Sequence, residues 1–232
     1  MGHGMEIFDI SDPVNPKHIS RIGFDFCHMS ANDLWTPRPC SGGKYVAVAD
    51  TYNGFYVVDA HNYENLSIST KLSFTREDNG KAVPVTSLAI GKGVIYISVF
   101  DGLGFYALVC PEVYPDVKEK GVPPTNANYR YDYSTSETSK FHAWRPESKA
   151  PVRGLAAKGS LLYAACSYGG LAILQQKKSG EVKLLGYGPM KFAGDVKVEG
   201  DILWVAEGFD GLAAYKIGRG AKIEFIARYK DF

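Results

Sequence analysis

This sequence predicts an all-β fold built from one repeated unit, an array of four-stranded antiparallel blades. Three observations predict it. Four glycine pairs, Gly43/Gly54, Gly93/Gly104, Gly159/Gly170 and Gly200/Gly211, each stand eleven residues apart. Each pair brackets an apolar, aromatic-rich segment, such as SLLYAACSYGGLAIL or DILWVAEGFDGLAAY. No stretch shows the apolar periodicity of a long amphipathic helix. Self-similarity at a fixed period decides an architecture before any local propensity does. The second glycines follow one another at spacings of 50, 66 and 41 residues. The shortest spacing is that of one four-stranded propeller blade, and the longer ones imply loop insertions.

The elements follow in chain order. GMEIFD aligns with GFYVVD, so Gly4–Asp9 matches Gly54–Asp59 and reads as the third strand of a unit whose first two strands do not precede it. Asp12-Pro13 and Asn15-Pro16 then form a turn into a fourth strand from His18 to Ile22. Proline fixes φ there, while Asp and Asn side chains bond back to the chain. This half blade covers residues 4–23. A first full blade covers about 30–75, through LWTPRPCSGG, KYVAVAD, GFYVVDA and LSISTKLSF. A second covers about 84–140, through TSLAIGKG, VIYISVF and GFYALV. A third covers 151–188 (VRGLAAKG, SLLYAACS, GLAILQ, VKLLGY), and a fourth 193–230 (AGDVKVEG, DILWVAEG, GLAAYKI, IEFIARY).

Residues 45–49, 95–99, 161–165 and 202–206 are near-continuous apolar strands, which must be covered on both faces. Blades stacked around an axis do this. The frame therefore places the Trp204 ring in the core. It also expects the second glycine of each pair at positive φ, or against a neighbour that excludes a Cβ. An all-β sandwich is the alternative, but it does not demand the same glycine pair four times.

FDISDPVNPKHISRIG, together with the glycine-led YVAVAD…NGFYVVD segment, resembles the LVIVD-repeat proteins. The match is close over Gly4 to Gly23, fair over Gly43 to Asp59, and loose in later units, where the Asp-Pro turn is lost. The resemblance implies a β-propeller, commonly of bacterial or archaeal envelope or secreted proteins. It transfers no catalytic residues.

Composition bounds the function. The chain has 232 residues, 45% apolar and 22% charged, which suits one soluble domain of this kind. Its 26 basic and 25 acidic residues leave a net charge of +1, without the basic stripe that nucleic-acid binding requires. No run of 18 apolar residues suggests membrane insertion, and the first thirty residues lack a signal-peptide pattern. Cys110 and Cys166 lie in strand-like runs, where a thiol is ordinarily a small buried hydrophobe. Cys27 and Cys40 flank CHMSANDLWTPRPC; whether they bridge depends on the compartment and on the fold.

Chemistry has two places to reside. The insertion over 111–150 concentrates Tyr129, Tyr131, His142, Trp144 and Arg145, and a long loop in a compact domain is usually functional or disordered. Its aromatic content argues against disorder. The competing reading is a loop that packs its own rings on a neighbouring blade. The segment 24–42 carries His28 and Asp33 but no metal-ligand spacing, so neither a metal nor a cofactor is expected. His28 and His142 precede innermost strands in this frame and are expected near one end of the central channel. First-strand polar positions Asn32, Asp33, Ser87, Arg153 and Asp195 are expected to line that channel, where solvated polar groups are commonplace. Glycine-rich pieces such as SYGGL lack the Lys-Ser/Thr and helix of a phosphate loop.

The expected function is a binding or scaffold module presenting an aromatic loop and a rim to a glycan or a protein. One alternative is a carbohydrate-active hydrolase or lyase built from His28, His142, Arg153 and Asp195 at the channel mouth. Another is a structural piece of a longer envelope protein, motivated by the half unit. That half unit leaves one edge of Met5–Ile10 bare, and a bare apolar edge invites another chain or a missing part of the same propeller.

Overall fold

The computed structural model describes residues 4–23, 38–42, 45–49, 54–76, 85–91, 94–99, 105–109, 128–131, 142–144, 146–148, 150–177 and 181–230. It is an all-β array. Strands β1 (Gly4–Asp9) and β2 (Lys17–Gly23) form a two-stranded hairpin. Blade one contains β3 (Arg38–Gly42), β4 (Tyr45–Ala49), β5 (Phe55–Asp59) and β6 (Ser67–Arg76). Blade two begins with β7 (Val85–Gly91), β8 (Val94–Val99) and β9 (Phe105–Val109). Two short strands follow, β10 (Asn128–Tyr131) and β11 (His142–Trp144). Blade three is β12 (Gly154–Lys158), β13 (Leu161–Ala165), β14 (Leu171–Gln176) and β15 (Val182–Tyr187). Blade four is β16 (Asp195–Glu199), β17 (Ile202–Ala206), β18 (Leu212–Ile217) and β19 (Ile223–Tyr229).

The first strands of successive blades lie against one another: β3 on β7, β7 on β12, and β12 on β16. They are the innermost strands of a propeller-type array. The core lies between blades. Tyr96, Leu155, Leu162, Ala164 and Leu174 fill the space between blades two and three. Tyr163, Leu171, Val196, Leu203 and Tyr215 fill that between three and four.

The repeat extends to backbone detail. In the β1–β2, β5–β6, β14–β15 and β18–β19 pairs, a register shift falls after Ile7, Val57, Ile173 and Ala214. Each is the third residue beyond the glycine that opens its strand. Three of the four second glycines, Gly54, Gly170 and Gly211, have φ of 90°, 71° and 90°; Gly104 lies outside the described residues. At Gly211 a Cβ would stand 2.0 Å from the carbonyl oxygen of Tyr229, so the close approach also requires glycine.

The turns that close the first two units are copies of each other. Asp9 Oδ1 accepts the Ser11 N–H at 2.9 Å, and Asp59 Oδ1 accepts that of His61 at 2.9 Å. Asp12 Oδ1 accepts the Val14 N–H at 3.1 Å, and Asn62 Oδ1 that of Glu64 at 3.0 Å. The Asn15 and Asn65 amides close each turn onto the Asp12 and Asn62 carbonyls at 3.1 Å. Asn62 thus performs in blade one the task that Asp12 performs in the hairpin.

Two expectations change. Residues 47–49, 95–98 and 162–165 are buried on both faces, but β17 alternates, with Leu203 and Val205 buried and Ile202, Trp204 and Ala206 half-exposed. Trp204 is therefore not a core ring. Its side of blade four has no blade beyond it among the described residues. Blade two takes its fourth strand from His142–Trp144, beyond the boundary expected at 140, because β11 pairs antiparallel with β9. β10 adds a parallel fifth strand to β6 at the outer edge of blade one.

Candidate functional site

The meander of each blade decides which segments share a face. First strands start, second-to-third-strand loops turn, and the linkers between blades arrive at the same end. In blades three and four this end gathers Arg153, the loop 166–170, the linker 188–194, Asp195 and the loop 207–211.

Backbone bonds hold these pieces together. Ser167 N–H donates to the Ala193 carbonyl at 2.8 Å, and Ala193 N–H returns a bond to the Ser167 carbonyl at 2.9 Å. This bridge ties the second-to-third-strand loop of blade three to the linker entering blade four. Ser167 Oγ also donates to the Pro151 carbonyl at 3.1 Å. The Tyr168 ring then meets Phe192 edge to face, with centroids 5.2 Å apart. Phe192 packs on bare backbone at Gly208, where a Cβ would lie 3.1 Å from its ring. Next to Gly208, Phe209 projects fully into solvent at 109% relative exposure, and Tyr168 is 86% exposed. Tyr168, Phe192 and Phe209 form an aromatic ridge along the loop end, with exposed Arg153 on the adjoining strand entry.

Below the ridge, Glu207 is buried, with a side chain 2% exposed. Arg228 Nη2 reaches its Oε2 at 2.5 Å, and the Tyr215 hydroxyl donates to its Oε1 at 2.5 Å. A buried carboxylate needs such partners. Burial first, and the neighbouring Glu207 second, push the Tyr215 phenol up to about 12. Burial likewise pushes the Cys166 thiol up to about 12, which makes it an inert core group rather than a nucleophile.

Of the residues singled out in the sequence, Asp195 lies against the inner strand of blade three, while Arg153 is exposed at the entry to that strand. A Cβ on Gly154 would lie 2.3 Å from Asp195 Oδ1, so the carboxylate rests directly on the neighbouring inner strand. That oxygen also accepts the Val196 N–H at 2.9 Å. Ser87 is on the inner strand β7, where its Oγ accepts the Leu155 N–H at 3.1 Å and joins two blades. His142 does not stand at the channel: β11 is the outermost strand of blade two, three strand spacings of about 4.8 Å from β7. Trp144 packs against the core between blades two and three. Tyr129 and Tyr131 stand on the added strand β10. His28, Asn32, Asp33, Arg145 and Cys27 lie outside the described residues.

The ridge was not singled out from the sequence, although a signal was available. Tyr52, Tyr168 and Phe209 each stand two residues before the second glycine of a pair. An aromatic repeated at a loop tip, where no core needs it, marks a surface. Among the described residues no three His, Cys, Asp or Glu side chains are grouped to hold a metal. An open groove of about 770 Å³ lies between the start of β2 and the second copied turn, bordered by Lys17, His18, His61 and Glu64.

Comparisons with known proteins agree with this architecture. The LVIVD repeat family model matches residues 41–70, the segment from the end of β3 into β6 that contains the second copied turn. Among curated proteins, none matches this chain in sequence. Similar solved structures include a Bacteroides fragilis NCTC 9343 protein provisionally assigned as a 6-phosphogluconolactonase, with 13% identity and a TM-score of 0.58. The aligned region covers 98% of this chain and 64% of that one. The periplasmic gluconolactonase PpgL of Pseudomonas aeruginosa is similar at 15% identity and a TM-score of 0.58, over 93% of this chain and 61% of that one. The chain thus spans less than two thirds of either. At these identities the likeness shows the fold: this is a propeller-type chain carrying an LVIVD repeat.

Proposed function

We propose that the chain is a non-catalytic binding module whose aromatic ridge engages a protein partner. The observation that carries this reading is the exposure of Tyr168 and Phe209, 86% and 109%, at one repeated position of the blade frame. Exposed rings contribute nothing to the core, and contiguous exposed apolar surface on a soluble protein marks an interaction site. Tyrosine and arginine are the residue types in which binding energy concentrates at protein interfaces. Protruding rings suit insertion into a partner's pocket. A glycan is more often stacked on a ring at the floor of a groove lined with polar groups, and the ridge has no such floor. Of the residues of the enzyme alternative, Asp195 rests against Gly154, Arg153 is exposed, and His142 is on an outer strand.

The test compares wild type with a Tyr168→Ser/Phe209→Ser double variant in affinity capture from the native source, alongside a glycan array. Both positions are exposed, so stability should move by less than about 0.5 kcal/mol each. Loss of a reproducibly captured protein by a folded double variant is the expected result. A partner retained by that variant refutes the ridge. Glycan binding abolished by the same variant replaces the protein reading with the glycan one.

A further inference from the structure

The backbone repeat builds a groove at the rim opposite the aromatic ridge, and among the described residues it does so twice. The second glycine of a pair opens the third strand at the ridge end, so the turn from third to fourth strand lies at the other end. One groove is the opening of about 770 Å³ between β2 and the turn of blade one. The other, of about 480 Å³, lies between β15 and the turn of blade four. The two occupy the same place in the frame. Ile19 and Leu185 each stand fifteen residues after the glycine that opens the third strand of their unit. Tyr63 and Gly220 each stand nine residues after theirs. Ile19 and Tyr63 line the first groove, and Leu185 and Gly220 the second.

The register shift supplies one wall. It leaves Ile19 unpaired between His18 and Ser20 in β2, and Leu185 unpaired between Leu184 and Gly186 in β15. A bulge re-aims its extra side chain, and both aliphatic groups are exposed at their grooves. Each groove also holds one tyrosine, Tyr63 at 55% exposure and Tyr187 at 41%, so much of each ring is open to a ligand. The ring changes sides between them. The turn supplies Tyr63 in the first groove. In the second, Gly220 stands at that position with no atom within 4 Å of a Cβ, and the strand supplies Tyr187 instead. Each groove is further lined by one lysine and one glutamate whose side chains have no partner among the described residues, Lys17 with Glu64 and Lys222 with Glu224. The other charged groups of the first groove are engaged. Asp9 accepts the Ser11 N–H at 2.9 Å, and His61 Nδ1 lies 2.6 Å from Asp59 Oδ1.

The geometry points to a neutral oligosaccharide as the ligand of both grooves. A sugar ring has an apolar C–H face and a rim of hydroxyls. The face suits an open tyrosine ring beside an aliphatic side chain. The rim suits an ammonium and a carboxylate together, since hydroxyl oxygens accept from lysine while hydroxyl hydrogens are donated to glutamate. An ion of either sign would meet a like charge in each groove. An apolar protein anchor would strip water from both charges without bonding to them, at a cost. Both volumes fall in the range of small-ligand clefts, which combine an apolar lining with a few convergent polar groups. Core packing does not account for this set, because the tyrosines, lysines and glutamates are all exposed. The set is nevertheless assembled twice, from residues that do not correspond in the frame. Two grooves on one rim also allow a single extended glycan to be held at two points. The grooves and the ridge lie at opposite ends of the strands, so either reading can fail without the other.

An array of neutral and acidic glycans probed with the full chain tests it, followed by calorimetric titration of the shortest neutral glycan bound. Wild type should bind neutral glycans, with two sites per chain in solution. Tyr63→Ala and Tyr187→Ala should each remove one site and leave the affinity of the other unchanged. Combined, they should abolish binding with an unchanged circular dichroism spectrum. Glu64→Gln and Glu224→Gln keep the side-chain shape and should each weaken their own groove by about tenfold. A wild type that binds no neutral glycan, or that prefers acidic ones, overturns the proposal. So does neutral-glycan binding that survives the double tyrosine variant, or that is lost in Tyr168→Ser/Phe209→Ser instead.

Discussion

The two glycines of a pair should not cost the same to replace, and the difference can be worked out at blade four. Gly200 closes the turn between β16 and β17 at φ +55°, with no atom within 4 Å of the position a Cβ would take. Alanine there incurs about 1–2 kcal/mol for the left-handed backbone, less about 0.4–1 kcal/mol regained from a stiffer unfolded chain. The net loss is about 1 kcal/mol. Gly211 sits at φ 90° and ψ −151°, a region almost closed to any residue with a side chain. That strain alone is worth about 3 kcal/mol. Its Cβ would also stand 2.0 Å from the Tyr229 carbonyl oxygen, a backbone atom that no rotamer change can move. Relief must displace the end of β19, which pairs with β18 through Leu212 and Tyr229, for a further loss of about 1 kcal/mol. After the same unfolded-state gain, Gly211→Ala should destabilise by about 3 kcal/mol, and the melting temperature should fall by about 10 °C. Calorimetry and urea unfolding of the two single variants measure the gap. Equal losses, or a larger loss at Gly200, would refute the claim that the second glycine serves both conformation and close approach.

Three further outcomes follow from the same structure. Glu207→Gln keeps the volume and an acceptor for Tyr215 but removes the charge facing Arg228, so urea unfolding should show a loss of about 1–3 kcal/mol; the Tyr215 phenol should titrate lower than in wild type yet above 10, since burial is its leading cause. The Asp201 carboxyl is held below its usual 3.8 mainly by the hydrogen bond and charge of Lys158, with a smaller contribution from Lys216, so its contribution is present above pH 3.8 and fades as pH falls through the depressed value; an NMR titration should find most of that depression lost in Lys158→Ala. Trp204→Ala should cost about 1–2 kcal/mol rather than the 3–5 kcal/mol of a core aromatic, because the ring is half-exposed; a core-sized loss would show that something covers it.

Much of the fold was legible because the repeat writes itself in residues that have no substitute. Glycine at positive φ is such a residue, and the eleven-residue pairs located strands two and three of every blade. The Asp-Pro and Asn-Tyr turns were half legible. Asp12 announced one, while Asn62 shows that the side-chain acceptor, not the proline, is what the turn requires. The recruitment of β10 and β11 was not legible. A strand added to a sheet edge obeys pairing with a remote segment, and nothing local distinguishes HAW as the fourth strand of blade two. Nor could the apolar run around Trp204 say that one of its faces has no blade against it among the described residues, since local sequence records a preference for cover but not its presence. The candidate site was legible only in part for a related reason: the longest insertion stands out by its composition, whereas the exposed rings belong to the regular frame.

The paired amides of Ser167 and Ala193 have a consequence for any partner of the ridge. A loop tip that must be ordered on contact charges its lost freedom against affinity. Here the loop bearing Tyr168 is fastened at its base to the entry of the next blade, and Phe192 is seated on the bare backbone of Gly208. The rings are presented ready-made, so little conformational entropy remains to be surrendered. Weakening the fastening without touching the rings should therefore shorten the lifetime of a complex rather than slow its formation, and the contact surface itself would look unchanged.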